Sequence, residues 1–233
     1  MAEAEIPEPL RRLAMRLDYS TQMRRFPRAS AAAGLALLGA RSALRELGWF
    51  RSFAERMPVD ADGAPLPWFT YPAIALLGPR VPPTARIFEY GAGQSTLWWA
   101  ERAAAVRSVE HDADWVALLR PRLPDHARLQ HAALEGEAYV GAAAAVAEAE
   151  GNGFDVVVID GRERNRCVPA ALAALGAGGV IVWDNAERPR YAEGQAALRD
   201  AGFRSVELHG MGPCNPYGWC TTVFYRDGNV LGL

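Results

Sequence analysis

The 233 residues contain no lysine, so all 25 basic side chains are arginine. A guanidinium stays protonated in proteins and makes a poor general base, which excludes any mechanism needing a catalytic lysine and rules out a P-loop. Cysteine is scarce as well. Cys167, Cys214 and Cys220 are too few and too unevenly spaced for a disulfide framework or a zinc site, so a reduced, cytoplasmic setting is expected. No apolar run approaches the roughly eighteen residues of a membrane span. The longest, Ala31 to Ala40, ends at Arg41, and no membrane partner is expected. Glu3, Glu5 and Glu8 stand where the basic start and apolar core of a secretory signal would lie, so no such signal is expected. A net charge of −2 gives no global footprint for nucleic acid, which is not the expected partner. What remains, with 50% hydrophobic and 22% charged residues, can bury a core and is neither collagen-like, coiled-coil nor disordered.

The chain changes character near residue 80. Before it, Arg11, Arg12, Arg16, Arg24, Arg25 and Arg28 crowd a stretch opposed by Asp18 alone, either a solvated helix face or an arm for an anionic partner. A helix is expected over Ala31 to Leu47 with Gly48 as its stop, a loop over Pro58 to Pro67, and a short helix over Pro72 to Leu77. Residues 1–80 thus read as a helical extension and a candidate substrate cap. From Arg86 onward short apolar runs alternate with longer helical ones. Strands are expected at Arg86–Tyr90, Val106–Glu110, Arg128–His131, Phe154–Ile159, Val180–Trp183, Phe203–Leu208 and Trp219–Tyr225. Helices are expected at Ser95–Ala105, Ala113–Arg122, an alanine-rich run to Glu150, Asn165–Leu175 and Arg190–Ala201. Such alternation means βαβ units and a mostly parallel, doubly wound α/β sheet over residues 81–233. The last two strands are separated only by a Gly/Pro loop and should pair antiparallel.

Ligands of open α/β sheets sit beyond the carboxyl ends of the strands, so the residues just after each strand carry the information. After the first strand comes Glu89-Tyr90-Gly91-Ala92-Gly93-Gln94-Ser95-Thr96. Gly91 and Gly93 let the backbone turn and approach a ligand, and Ser95 can cap the next helix. A dinucleotide fingerprint needs a third glycine where Thr96 stands, which argues against a nicotinamide or flavin cofactor. Glu110, about twenty residues on at the end of the second strand, is placed to accept from both hydroxyls of a ribose. Loop and acid together point to an adenosine-containing ligand.

From Arg86 to Tyr225 the chain resembles the class I S-adenosylmethionine-dependent methyltransferases. FEYGAGQST resembles their first motif, E/D-x-G-x-G, and SVEHD their second; FDVVVIDG and GGVIVWDN resemble the fourth- and fifth-strand motifs. The resemblance implies a Rossmann-like sheet in the order 3-2-1-4-5-7-6 with strand 7 antiparallel. It implies that S-adenosylmethionine is the cofactor, its methionine part lying along Gly91 and Gly93. Glu89 would hold the amino group, directly or through water, Glu110 would grip the ribose, and His111 and Ala133 would border the adenine. Asp160 would face the reacting sulfonium and the acceptor. Asp160, Asp184 and Asn185 are further similar to the metal triad of catechol O-methyltransferase-like enzymes, which implies Mg²⁺. Asp-Asn at a strand end can equally turn the chain and cap the next segment.

Those enzymes carry a lysine base soon after the first aspartate. Here stands Gly161-Arg162-Glu163-Arg164, in which Arg162 or Arg164 can hold a carboxylate or phosphate on the acceptor but cannot act as a base. The expected activity is methyl transfer to a small molecule, at oxygen. Methylation of RNA or protein through the arginine-rich arm and a non-catalytic cofactor-binding scaffold are the alternatives. His209 and Tyr191 are conceivable acid–base groups, and the loop His209–Gly218 could cover an acceptor pocket. Cys167, Trp98 and Trp99 read as core, and so do Trp68, Phe69 and Tyr71, which could alternatively wall the acceptor site.

Overall fold

The computed structural model describes residues 38–233. The crowded arginines between Arg11 and Arg28 lie outside the described residues, as does the first part of the helix expected from Ala31. Within them that helix is interrupted at Arg41–Ser42, and the Ser42 hydroxyl accepts from the Arg45 N–H (3.3 Å) to start α1 (Ala43–Glu46). Gly48 ends α1 as expected, but at φ +77° it also begins α2 (Trp49–Glu55), where the sequence predicts no helix. The reversal needs glycine: a Cβ there would meet the Asp60 backbone. On α2 the buried Ser52 accepts from the Val59 N–H (3.0 Å) and donates to the Val59 carbonyl (2.6 Å), tying the following loop to the helix. Helix α3 (Tyr71–Leu77) starts at Thr70, whose hydroxyl faces the Ala73 N–H at 3.4 Å.

The alternating part folds as β1 (Arg86–Tyr90), α4 (Gln94–Ala100), β2 (Ala105–Glu110), α5 (Ala113–Leu119), β3 (Ala127–His131), α6 (Ala142–Glu150) and β4 (Phe154–Ile159). It continues with α7 (Arg164–Ala174), β5 (Leu175–Asp184), α8 (Ala192–Asp200), β6 (Arg204–Gly210) and β7 (Trp219–Tyr225). The seven strands lie in the order β3-β2-β1-β4-β5-β7-β6. Strands β1 to β5 run parallel, and β7 is antiparallel to both β5 and β6. This is the arrangement the family resemblance implies. Strand β5 starts earlier than expected, because Gly176, Gly178 and Gly179 admit a bulge: Phe154 pairs with Leu175, whereas Val156 pairs with Val180.

Central strands of a parallel sheet are covered on both sides, and β4 shows it, with Val156, Val157, Val158 and Ile159 all fully buried. One face packs Tyr139, Cys167, Ala171 and Leu198 from α6, α7, α8 and their flanks. The other packs Trp98 and Trp99 of α4 with Phe69, Tyr71 and Leu77. Residues 66–77, placed by sequence in the extension, therefore complete the core of the sheet. They are also bonded to it: Thr70 donates its N–H to the Thr221 hydroxyl (3.1 Å) and its own hydroxyl to the Leu208 carbonyl (2.8 Å), and the Tyr71 N–H donates to the Met211 carbonyl (2.7 Å). Among the described residues no helix is long and apolar enough to cross a membrane.

Candidate functional site

Two adjoining clefts open at the carboxyl ends of the parallel strands. The first, about 550 Å³, runs along Gly91, Gly93, Gln94 and Ser95 to Glu110 and His111, with Trp115 at one side and Asp160, Gly161 and Arg162 at the other. The second, about 480 Å³, is lined by Asp160, Asp184, Asn185, Arg188, Trp219 and Tyr217 among others. Asp160 and Trp68 line both.

The β1–α4 turn is fixed from beneath. Gly91 has φ +84°, and a Cβ there would come within 2.8 Å of the Gly161 Cα. Gly161 in turn has the Tyr139 hydroxyl where its own Cβ would be. The loops after β1 and β4 thus touch backbone to backbone. A Cβ on Gly93 would meet nothing within 4 Å, because that position faces the cleft. Thr96, which stands where a dinucleotide fingerprint has glycine, is fully buried below the cleft rather than in its lining. Its hydroxyl accepts the Gly93 N–H (3.0 Å) and donates to Glu89 Oε2 (2.5 Å), which Ser108 also reaches (3.2 Å). Among the described residues Glu89 Oε1 is buried without a partner, as is Gln94 Oε1. Burial pushes the Glu89 carboxyl up to about 7, against the lowering by the Ser95, Thr96 and Ser108 hydroxyls.

Glu110 has a structural duty besides the one expected of it. Its Oε1 accepts the N–H groups of His111 (2.7 Å) and Asp112 (2.9 Å), and its Oε2 accepts the N–H of Ala92 (3.1 Å). It therefore ties the β2 turn to the glycine turn while leaving acceptor capacity on Oε2. The His111 ring lies beside it, Nδ1 2.5 Å from Oε1. Ala133 is exposed after β3 and does not line the cleft. Trp115, unnoticed in the sequence, donates from Nε1 to the Ala92 carbonyl (2.7 Å) and walls the cleft.

A glycine turn open to the cleft and an acid at its far end fit the parts of S-adenosylmethionine that need close backbone approach and ribose acceptors, whereas Glu89 is fully buried behind the turn and lines neither cleft. The expected metal ligands fit less well. Asp160, Asp184 and Asn185 do converge on one pocket. A cation already sits there, however: buried Arg164 donates to Asp160 Oδ1 (3.0 Å) and to the carbonyls of Asp160, Gly161 (3.0 Å) and Asp184. Asp184 is buried, and its Oδ1 accepts from Thr221 (2.6 Å) and from Trp219 Nε1 (2.9 Å). Burial and the nearby Asp160 carboxylate hold it above the usual carboxylate range. Asp160 is likewise raised by burial, with Arg164 opposing. Asn185, at φ +52°, accepts the Arg188 N–H on its carbonyl (3.2 Å) and reverses the chain. Mg²⁺ needs ionised oxygens free to gather at about 2.0–2.1 Å, and this set does not fit it.

The remaining candidates separate. Trp98, Trp99, Phe69 and Cys167 are core, whereas Trp68 is 44% exposed. Arg162 lines the first cleft, and among the described residues its guanidinium has no hydrogen-bond or ion-pair partner. Tyr191 packs on Trp183 and under Arg164, and His209 lies on the outer strand away from both clefts. The loop before β7 supplies Asn215 and Tyr217 to the second cleft.

No family model matches the chain, and neither does any curated protein. Solved structures do. A precorrin 8W decarboxylase from Methanobacterium thermoautotrophicum is 18% identical with a TM-score of 0.49, over 73% of this chain and 95% of that one. A precorrin-6y C5,15-methyltransferase from Geobacter metallireducens is 16% identical with a TM-score of 0.48, over 66% and 87%. An rRNA methylase from Streptococcus thermophilus is 11% identical with a TM-score of 0.47, over 66% and 95%. Strand order, with β7 inserted antiparallel between β5 and β6, decides the fold. It is the class I methyltransferase fold.

Proposed function

We propose that the chain is an S-adenosylmethionine-dependent methyltransferase acting on the oxygen of a small molecule, with Trp68, just before the sheet, capping the acceptor side. The observation that carries this reading is that Asp160 lines both clefts, so one carboxylate borders the cofactor cleft and the acceptor pocket. S-adenosylmethionine, when bound, supplies an already activated methyl group, so the protein's work is alignment and removal of one proton.

Glu89, behind the turn, holds the cofactor's amino group through water on its unpartnered oxygen, Gly91 and Gly93 give the backbone close approach, and Ser95 and Thr96 fix that turn. Glu110 takes the ribose hydroxyls on its remaining acceptor capacity, with His111 beside the base; Ala133 lies further out and has the weaker claim. Asp160 takes the proton that leaves the acceptor hydroxyl, helped by the higher proton affinity that burial gives it. Arg162, always protonated, holds an anionic group at the mouth of the cleft. Trp68, Tyr217 and Trp219 exclude water from the acceptor. No step runs through a metal.

Calorimetric titration of S-adenosylmethionine and its demethylated product into wild type and Glu110→Gln tests the reading. Binding to wild type that drops at least about tenfold in the variant, at unchanged circular dichroism, is the expected result. No binding of either form would overturn the assignment.

A further inference from the structure

On the outer β-hairpin, the fold assembles three metal-ligating side chains that the sequence scatters. Glu207 and His209 are two apart on β6 and so point to the same side of the sheet. Cys220 of β7 is the register partner of His209, which puts its thiol on that side too. One ligand atom from each lies within 4.8 Å of the other two, and Glu207 Oε2 is 3.2 Å from His209 Nε2. None of the three lines either cleft. Counted in sequence, the cysteines look too few for zinc, but one thiolate joined by an imidazole and a carboxylate is a sufficient set.

We propose that Glu207, His209 and Cys220 form a binding site for a divalent transition metal of the zinc class, with water as the fourth ligand. Bonds of about 2.0–2.3 Å to S, N and O set tetrahedral ligand atoms roughly 3.3–3.8 Å apart. The present cluster reaches that by small rotations of Glu207 and His209, whose side chains are 52% and 63% exposed. Cys220 is a free, buried thiol and supplies the fixed point. Charge favours a cation here. Among the described residues the ionic partner of Glu207 is His209 alone, and Glu187 Oε2 accepts the Cys220 N–H (3.0 Å) to bring a second carboxylate close. A soft thiolate and a borderline imidazole select zinc-like ions over Mg²⁺ or Ca²⁺. Binding forms the metal–sulfur, metal–nitrogen and metal–oxygen bonds and releases the Cys220 thiol proton to solvent.

Titrating the full chain with Co²⁺, followed by Zn²⁺ competition, tests the site independently of any methyl transfer. We expect one Co²⁺ per chain, with a thiolate-to-cobalt charge-transfer band in the near ultraviolet that Zn²⁺ removes and that Cys220→Ser lacks. His209→Ala and Glu207→Ala, at exposed positions that leave the fold intact, each weaken binding at least about tenfold. Absence of the band, its persistence in Cys220→Ser, or binding indifferent to both exposed substitutions would each overturn the proposal.

Discussion

Glu89→Gln should stabilise the protein at alkaline pH while weakening its hold on the cofactor. Glu89 is fully buried at the end of β1, and burial lifts its carboxyl from 4.5 to about 7. The folded state therefore keeps a proton that the unfolded chain gives up. A carboxyl raised in this way adds stability below its unfolded value and loses it as pH climbs through the folded one. At about 1.4 kcal/mol per unit, the loss between the two values is about 3 kcal/mol. Glutamine stays neutral throughout and keeps an acceptor for Thr96 and Ser108. Urea unfolding of both proteins between about pH 5 and pH 8.5 should show the variant gaining on wild type by up to about 3 kcal/mol, with most of the change complete near pH 8. Asp160 and Asp184 titrate in both proteins, so the difference reports Glu89 together with its coupling to Asp160. Cofactor affinity should move the opposite way, falling at alkaline pH where wild type offers its amino group a carboxylate. A stability difference that stays constant with pH would refute the reasoning.

Gly91→Ala should cost about 2 kcal/mol or more and lower Tm, since its methyl meets the Gly161 backbone at a positive φ, whereas Gly93→Ala should melt like wild type yet bind S-adenosylmethionine poorly in calorimetry. Arg164→Ala should lose about 3–5 kcal/mol in denaturant unfolding by stranding Asp160, and Arg164→Lys should not restore it, because an ammonium cannot span acceptors on both β4 and β5. Trp68→Ala, at a half-exposed position, should change stability by under about 1 kcal/mol while weakening cofactor and acceptor binding together, as titration of each would show.

What the sequence makes legible is what is local. The apolar runs around FDVVVI and GVIVW are long enough to be strands buried on both sides, and the order of strands and helices admits few ways to close the sheet. The glycine turn and Glu110 likewise sit at strand ends that can be found by reading along the chain. Thr96 is the instructive residue between the two cases. As a missing glycine it argues against a dinucleotide, but its hydroxyl, bonded to both Glu89 and Gly93, is visible only in three dimensions. Trp115 and Trp219 are harder still, because each reaches a cleft from a different element. Thr221 meets Asp184 because β7 pairs antiparallel with β5 in that register. That register joins strands separated by α8 and β6, so no count along the chain gives the pair, and nothing local gives Trp115. Helix α2 escapes a reading of the sequence because Gly48 looks like a stop, and the same left-handed glycine that ends one helix can begin another.

The absence of lysine, which removes the expected base, meets its structural counterpart at Arg164. Two carboxylates at the ends of adjacent strands repel each other, and either a positive group or a bound proton must relieve that repulsion. A divalent ion would do so with ligands drawn tightly inward, and would leave when chelated. Arg164, permanently charged at a helix start, offsets the Asp160 carboxylate and otherwise donates to the carbonyls of Asp160, Gly161 and Asp184, its guanidinium 5.1 Å from the Tyr191 ring. The Asp184 carboxyl is held by Thr221 and Trp219. Since an arginine does not titrate near neutrality, the charge balance of the site can change only through its carboxyls. Burial holds Asp184 high, and Asp160 is raised with Arg164 opposing, so each group draws its proton affinity from where the fold puts it. On the proposed reading, a base with raised affinity next to a fixed cation replaces the activation that lysine or a metal would supply, and the burden of catalysis falls on alignment between the two clefts.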